Sequence, residues 1–74
     1  MTTEGEYIRM SGTVVEVLRD ATFKVEVDGG FHVMARPAGR MRQGRMIRII
    51  RGDQVEVEVS SYDPSKGRIV WRHR

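Results

Sequence analysis

The chain has 74 residues, enough for one small domain, and it contains no cysteine, which excludes disulfides and thiolate-bound zinc. Its formal net charge is +3, from 13 basic and 10 acidic side chains. Its two histidines, His32 and His73, are too few to build a metal cluster without carboxylate help, so no metal or other cofactor is expected.

The apolar stretches are short. The run at residues 46–50 is interrupted by Arg48, so no membrane span is expected. Residues 1–6 are polar and acidic and lack the basic start and apolar run of a secretory signal; they read as a flexible tail on a cytoplasmic protein. Residues 7–74 form the domain.

Residues 8–18 are rich in β-branched side chains and predict a first strand, with Thr13, Val15 and Val17 on one face and Val14, Glu16 and Leu18 on the other. Residues 19–21 are polar and turn-like. Residues 22–27 alternate, with Phe23, Val25 and Val27 opposed to Lys24 and Glu26. Asp28, Gly29 and Gly30 then give a strong hairpin signal. The third strand is predicted at residues 31–36, with Phe31, Val33 and Ala35 inward and His32, Met34 and Arg36 outward. Pro37 cannot donate to a ladder and should end it.

Residues 38–43 suit a single helical turn, and Gly44 argues against a longer helix. Residues 46–50 are apolar and extended, Gly52 and Asp53 mark a turn, and residues 54–59 alternate with Val55, Val57 and Val59 inward. A polar loop spans residues 60–67. Residues 68–72 form the last strand, with Ile69 and Trp71 on the face opposite Val70. Five short strands with a helical turn between the third and fourth match the order of an OB-fold β-barrel, an all-β architecture. An SH3-like barrel is the competing arrangement, and the insertion after the third strand favours the OB fold.

Charge is unevenly distributed. Residues 1–35 carry three basic and six acidic side chains, whereas residues 36–74 carry ten basic and four acidic ones. Six arginines, Arg36, Arg40, Arg42, Arg45, Arg48 and Arg51, fall within 16 residues with no acid between them. So dense a run repels itself until a polyanion neutralises it and releases counterions. The plainer alternative is a solvated surface loop. A second basic cluster comprises Lys66, Arg68, Arg72 and Arg74. Gly67 sits within it, either permitting a close phosphate approach or serving as an ordinary turn residue.

Tyr62, in a polar loop, is a candidate for stacking on a base, whereas Phe23, Phe31 and Trp71 fall at strand positions that read as core. That leaves few aromatics for a single-strand platform and favours backbone and shape recognition of folded RNA. No enzyme is expected: His32 is the only internal histidine, Asp53 and Asp63 lie in turns where aspartate bonds local backbone, and no phosphate-cradling glycine loop is present.

Several segments together carry a family resemblance: Met10-Ser11-Gly12-Thr13-Val14, Gly39-Arg40-Met41-Arg42, Gly52-Asp53-Gln54-Val55, and Tyr62-Asp63-Pro64-Ser65-Lys66-Gly67-Arg68-Ile69-Val70. Along nearly its whole length the chain resembles bacterial translation initiation factor one. The resemblance implies a monomeric OB barrel that binds the decoding (A) site of the small ribosomal subunit, blocks premature tRNA entry and assists initiation factors two and three. It implies that Arg40, Met41 and Arg42 face ribosomal RNA near a ribosomal protein, with Lys66 and Arg68 on the same surface. With the two clusters, the candidate RNA-binding set is Arg36, Arg40, Met41, Arg42, Arg45, Arg48, Tyr62, Lys66, Gly67, Arg68 and Arg72. The alternative is a general single-stranded RNA-binding protein, an RNA chaperone of the cold-shock type.

Overall fold

A computed structural model describes residues 7–39 and 49–73. The first strand, β1, runs from Tyr7–Val17 and is the longest element. Its N-terminal part pairs with β4 (Gln54–Ser60), and its C-terminal part pairs with β2 (Phe23–Val27). One strand therefore serves two neighbours. β2 pairs with β3 (His32–Pro37), which lies parallel to β5 (Lys66–Arg72), and β5 returns antiparallel to β4. The order β1-β2-β3-β5-β4 closes on itself as a barrel, the expected OB fold. Among the described residues every strand thus has a neighbour on both sides, which limits the free edge that could template association.

The interior is built from small branched side chains because a five-stranded barrel is narrow. Ile69 and six valines, Val14, Val25, Val33, Val55, Val57 and Val59, are its largest fully buried residues. Ala38 and Ile49, which flank residues 40–48, are also buried in this core. The Ala38 N–H donates to the Ile69 carbonyl at 2.8 Å, fixing the exit of β3 against β5. β3 ends at Pro37, as its missing N–H demands. The helical turn expected beyond it falls largely on residues outside those described.

The β2–β3 hairpin turns through a 3-10 turn at Asp28–Gly30, where Gly29 and Gly30 adopt φ of 87° and 81°. The Val27 N–H closes it on the Phe31 carbonyl at 2.9 Å. The β1–β2 connection uses non-glycine residues for the same sense of turn, with Asp20 at φ 60° and Ala21 at φ 55°. Left-handed backbone at a residue with a Cβ is strained.

Three predicted side-chain placements are corrected. In β1 the register shifts between Val14 and Glu16. The extra residue, Val15, breaks the expected alternation: Val14 pairs with Val25 and Val17 with Phe23, while Glu16 is exposed opposite Lys24. Phe31 is 69% exposed rather than core. It lies beyond Glu26–His32, the last β2–β3 pair, so it projects past the barrel rim. Trp71 is 55% exposed. A second register shift, between Glu56 and Val57, leaves Val70 unpaired. Ile69 and Val70 are both buried as a result, and Trp71 faces out.

Gly67 is a strand residue paired with Val59 and Ala35, on the parity that faces the core. A Cβ there would stand 2.5 Å from the Glu58 carbonyl oxygen and 2.8 Å from Val59 Cγ1. Its lack of a side chain lets β4 and β5 pack. Gly67→Ala is therefore expected to destabilise the barrel by about 1–3 kcal/mol, as overpacking does elsewhere, read as a lower urea midpoint at unchanged slope. Ala21→Gly, which relieves the left-handed turn, is expected to shift the midpoint upward instead.

Candidate nucleic-acid interface

Four strands contribute to one outward row. Arg9 of β1 is in register with Glu58 of β4, Glu58 with Arg68 of β5, and Arg68 with Arg36 of β3. Two residues back along β5, Lys66 lies in register with Met34. The parallel β3–β5 pairing thus sets Arg36, Lys66 and Arg68 on adjoining outward positions although some 30 residues separate β3 from β5 in sequence. All three are exposed.

Among the described residues, Arg36 and Arg68 make only long contacts. Arg68 approaches Glu58 at 3.5 Å, and its guanidinium carbon lies 5.4 Å from the Tyr7 ring centroid. An exposed pair at that distance contributes little to stability, so Arg68 is held in place more than it is neutralised. Arg36 donates through Nε to Thr22 Oγ1 at 3.5 Å, a long contact. Tyr7, Glu58, Ser60, Lys66, Gly67 and Arg68 line a shallow depression of about 260 Å³ on this face.

The loop that delivers Lys66 is internally braced. The Tyr62 N–H donates to Ser60 Oγ at 3.1 Å, and Asp63 Oδ1 accepts from the Ser65 hydroxyl at 2.6 Å and the Ser65 N–H at 3.3 Å. The Ser65 hydroxyl bond holds the Asp63 carboxyl below its ordinary value, against an opposing desolvation that outweighs the further help of the Ser65 N–H and of nearby Lys66 taken singly. Tyr62 is exposed on this loop, available for stacking. Asp63 bonds local backbone as its turn position predicts, and so does Asp53, whose Oδ2 accepts from the Ile50 N–H at 3.0 Å.

Arg72 stands apart from the other candidates. Its Nε is buried 3.1 Å from Asp53 Oδ2, and its N–H is not aimed well enough to make a hydrogen bond among the described residues. The contact is an ion pair that pins the turn at residues 50–53 to β5. It lies at the far end of β5 from Lys66 and draws Arg72 toward a structural task. Gly67 likewise has the packing role described above. Arg40, Met41, Arg42, Arg45 and Arg48 lie outside the described residues.

A second charged cluster adjoins the row. Glu56 pairs through Oε1 with Arg9 Nε at 2.6 Å and through Oε2 with His73 Nε2 at 3.0 Å. It links β1, β4 and the residue after β5. Sequence reading leaves Arg9, Tyr7 and Trp71 out of any site. Only the cross-strand register brings them beside the basic row. Among the described residues no group of three or more potential metal ligands converges, and no helix is long and apolar enough to cross a membrane.

A family model described as Translation initiation factor 1A / IF-1 matches residues 1–74. The chain belongs to this family. It is 44% identical over 72 residues to translation initiation factor IF-1 of Rickettsia bellii (strain OSU 85-389), a match covering 97% of each chain. It is 49% identical over 69 residues to the corresponding factor of Rhodospirillum rubrum, covering 93% of this chain and 72% of that one. The solution structure of the same initiation factor from the Wolbachia endosymbiont (strain TRS) of Brugia malayi matches with a TM-score of 0.76 at 37% identity, covering 93% of this chain and 80% of that chain.

In this member of the initiation-factor family, the Glu56 cluster has a defined pH signature. The Arg9 hydrogen bond first, and the His73 hydrogen bond second, hold the Glu56 carboxyl below its ordinary value of 4.5. A carboxyl lowered on folding stabilises the folded state above its unfolded pKa and loses that contribution as pH falls through the folded value. Glu56→Gln is expected to melt slightly below the wild type at neutral pH. The gap should close as pH falls below 4.5, in thermal melts followed by circular dichroism.

Proposed function

We propose that this protein is a translation initiation factor that occupies the decoding (A) site of the small ribosomal subunit, binds ribosomal RNA through its β3–β5 face, and assists initiation factors two and three. Arg36, Lys66 and Arg68 act as phosphate contacts that fix register on folded RNA. Arg40, Met41, Arg42, Arg45 and Arg48, which follow β3 in sequence, supply further RNA contacts. Arginine suits this task because its planar fork pairs bidentately with phosphate and stays charged. The observation that carries the reading is the in-register placement of Arg36 beside Arg68, next to Lys66, in a chain that matches the family over its full length. Contacts of this kind position the protein and need no catalytic group.

The exposure of Phe31, Tyr62 and Trp71 favours a second reading, in which the barrel binds unstructured single strands in general. Competition separates the two. An excess of unstructured RNA should displace a general binder from small subunits and leave an initiation factor in place.

Arg36→Ala and Arg68→Ala are each expected to weaken sedimentation with purified small subunits and to lower the salt slope of binding by roughly one unit. The double variant Arg40→Ala with Arg42→Ala should weaken it further. Arg36→Ala and Arg68→Ala should each keep the wild-type unfolding free energy in urea within about 0.5 kcal/mol, as exposed substitutions do. Unchanged binding in all of these variants would contradict the proposal.

A further inference from the structure

The Trp71 ring is the largest apolar side chain of the protein, and the fold turns it outward. Plain alternation along β5 would bury Trp71 with Ile69. The bulge at Val70 inserts one residue, buries both Ile69 and Val70, and re-aims Trp71 to the outer face opposite Glu56. Bulges that redirect a side chain are common beside functional sites.

What surrounds the ring narrows its occupant. Along the outer face of β5 the preceding outward residues are Arg68 and Lys66, and Arg36 lies in register beside Arg68. On the β4 side, both carboxylate oxygens of Glu56 are engaged, one by Arg9 and one by His73, so its repulsion of an approaching phosphate is reduced. Ser11 lies beyond Glu56 in the same row. Every outward neighbour of the ring named here is polar or charged, whereas the centre of a protein-docking surface is depleted of charge. A flat ring at the end of a row of cations fits a nucleotide strand, whose phosphates meet the cations while one base stacks on the indole.

We infer that Trp71 is a stacking site for an unpaired nucleobase of the RNA whose phosphates meet Arg36, Lys66 and Arg68. The inference rests on the RNA-binding reading above and adds a base contact to it. Sequence-independent stacking of this kind adds affinity without reading a base edge.

Trp71 is the chain's one tryptophan, so its fluorescence reports on the site directly. The full chain is titrated at low salt with a short oligoadenylate and, in parallel, with an abasic ribose-phosphate chain of the same length. Quenching by the oligoadenylate, with little by the abasic chain, is expected. Trp71→Leu keeps apolar bulk but removes the ring, and should weaken binding of labelled oligoadenylate by about tenfold, while Trp71→Phe retains most of it. Because the site is exposed, both variants should keep the wild-type urea midpoint, which separates stacking from a folding defect.

Equal quenching by both oligomers, or equal affinity of Trp71→Leu and wild type, overturns the inference. So does loss of small-subunit binding by Trp71→Leu without oligoadenylate quenching, since the ring would then meet protein. Sedimentation of the wild type with small subunits separates the two claims. Subunit binding without base-dependent quenching sinks the stacking site alone. Base-dependent quenching without subunit binding supports the stacking site and sinks the initiation-factor reading.

Discussion

The parallel pairing of β3 with β5 sets most of what this protein presents to solvent. It closes the sheet, because β1 has already joined β2 to β4 through its two halves. The same register puts Met34 opposite Lys66 and Arg36 opposite Arg68. The pairing that completes the core thus also gathers cations from distant parts of the chain onto one outer surface. Gly67 sits between Lys66 and Arg68 with its backbone against Glu58, so the approach of β5 to β4 depends on a residue without a side chain.

Charge follows the topology. Glu16, Glu26 and Asp28 lie on β1, β2 and the hairpin between β2 and β3, while Arg36, Lys66 and Arg68 lie on β3 and β5. A polyanion that approached the β1–β2 side would meet these carboxylates with Lys24 among them, and one that approached β3–β5 would meet two guanidinium groups and an ammonium. The acids on β4 do not cancel this, because Glu56 is taken up by Arg9 and His73, and Glu58 makes a long contact to Arg68. A narrow valine-lined barrel therefore needs no large core to orient its field.

Strand identity was legible in the sequence because β2 and β4 alternate cleanly and the hairpin at Gly29 and Gly30 is marked by residues that tolerate positive φ. The end of β3 at Pro37 was equally readable from a missing donor. The faces of β1 and β5 were not, because one extra residue at Val15 and another at Val70 break the alternation without any compositional mark. Phe31 and Trp71 read as core for being large and apolar, yet one overhangs the rim and the other is turned out by a bulge. Of the candidate site, the clustering of cations in the second half of the chain was visible. That the two clusters could share one face was also open to a reading of the strand order, but the register that sets Arg36 opposite Arg68 was not, since parallel pairing between remote strands leaves no local pattern. Nor was the commitment of Arg72 to Asp53, a contact made across a turn and a strand.

The central claim is that one side of the barrel, β3 with β5, faces the RNA. The chain has no native cysteine, so single cysteines can be placed at will as anchors for a probe that cleaves nearby RNA by hydroxyl radicals. Met34→Cys sits beside Lys66 on the basic face, and Glu16→Cys sits opposite Lys24 on the β1–β2 side. With each bound to small subunits, the probe at position 34 is expected to cleave ribosomal RNA at discrete decoding-site positions, and the probe at position 16 far more weakly. Strong cleavage from position 16 with none from position 34 would contradict the account.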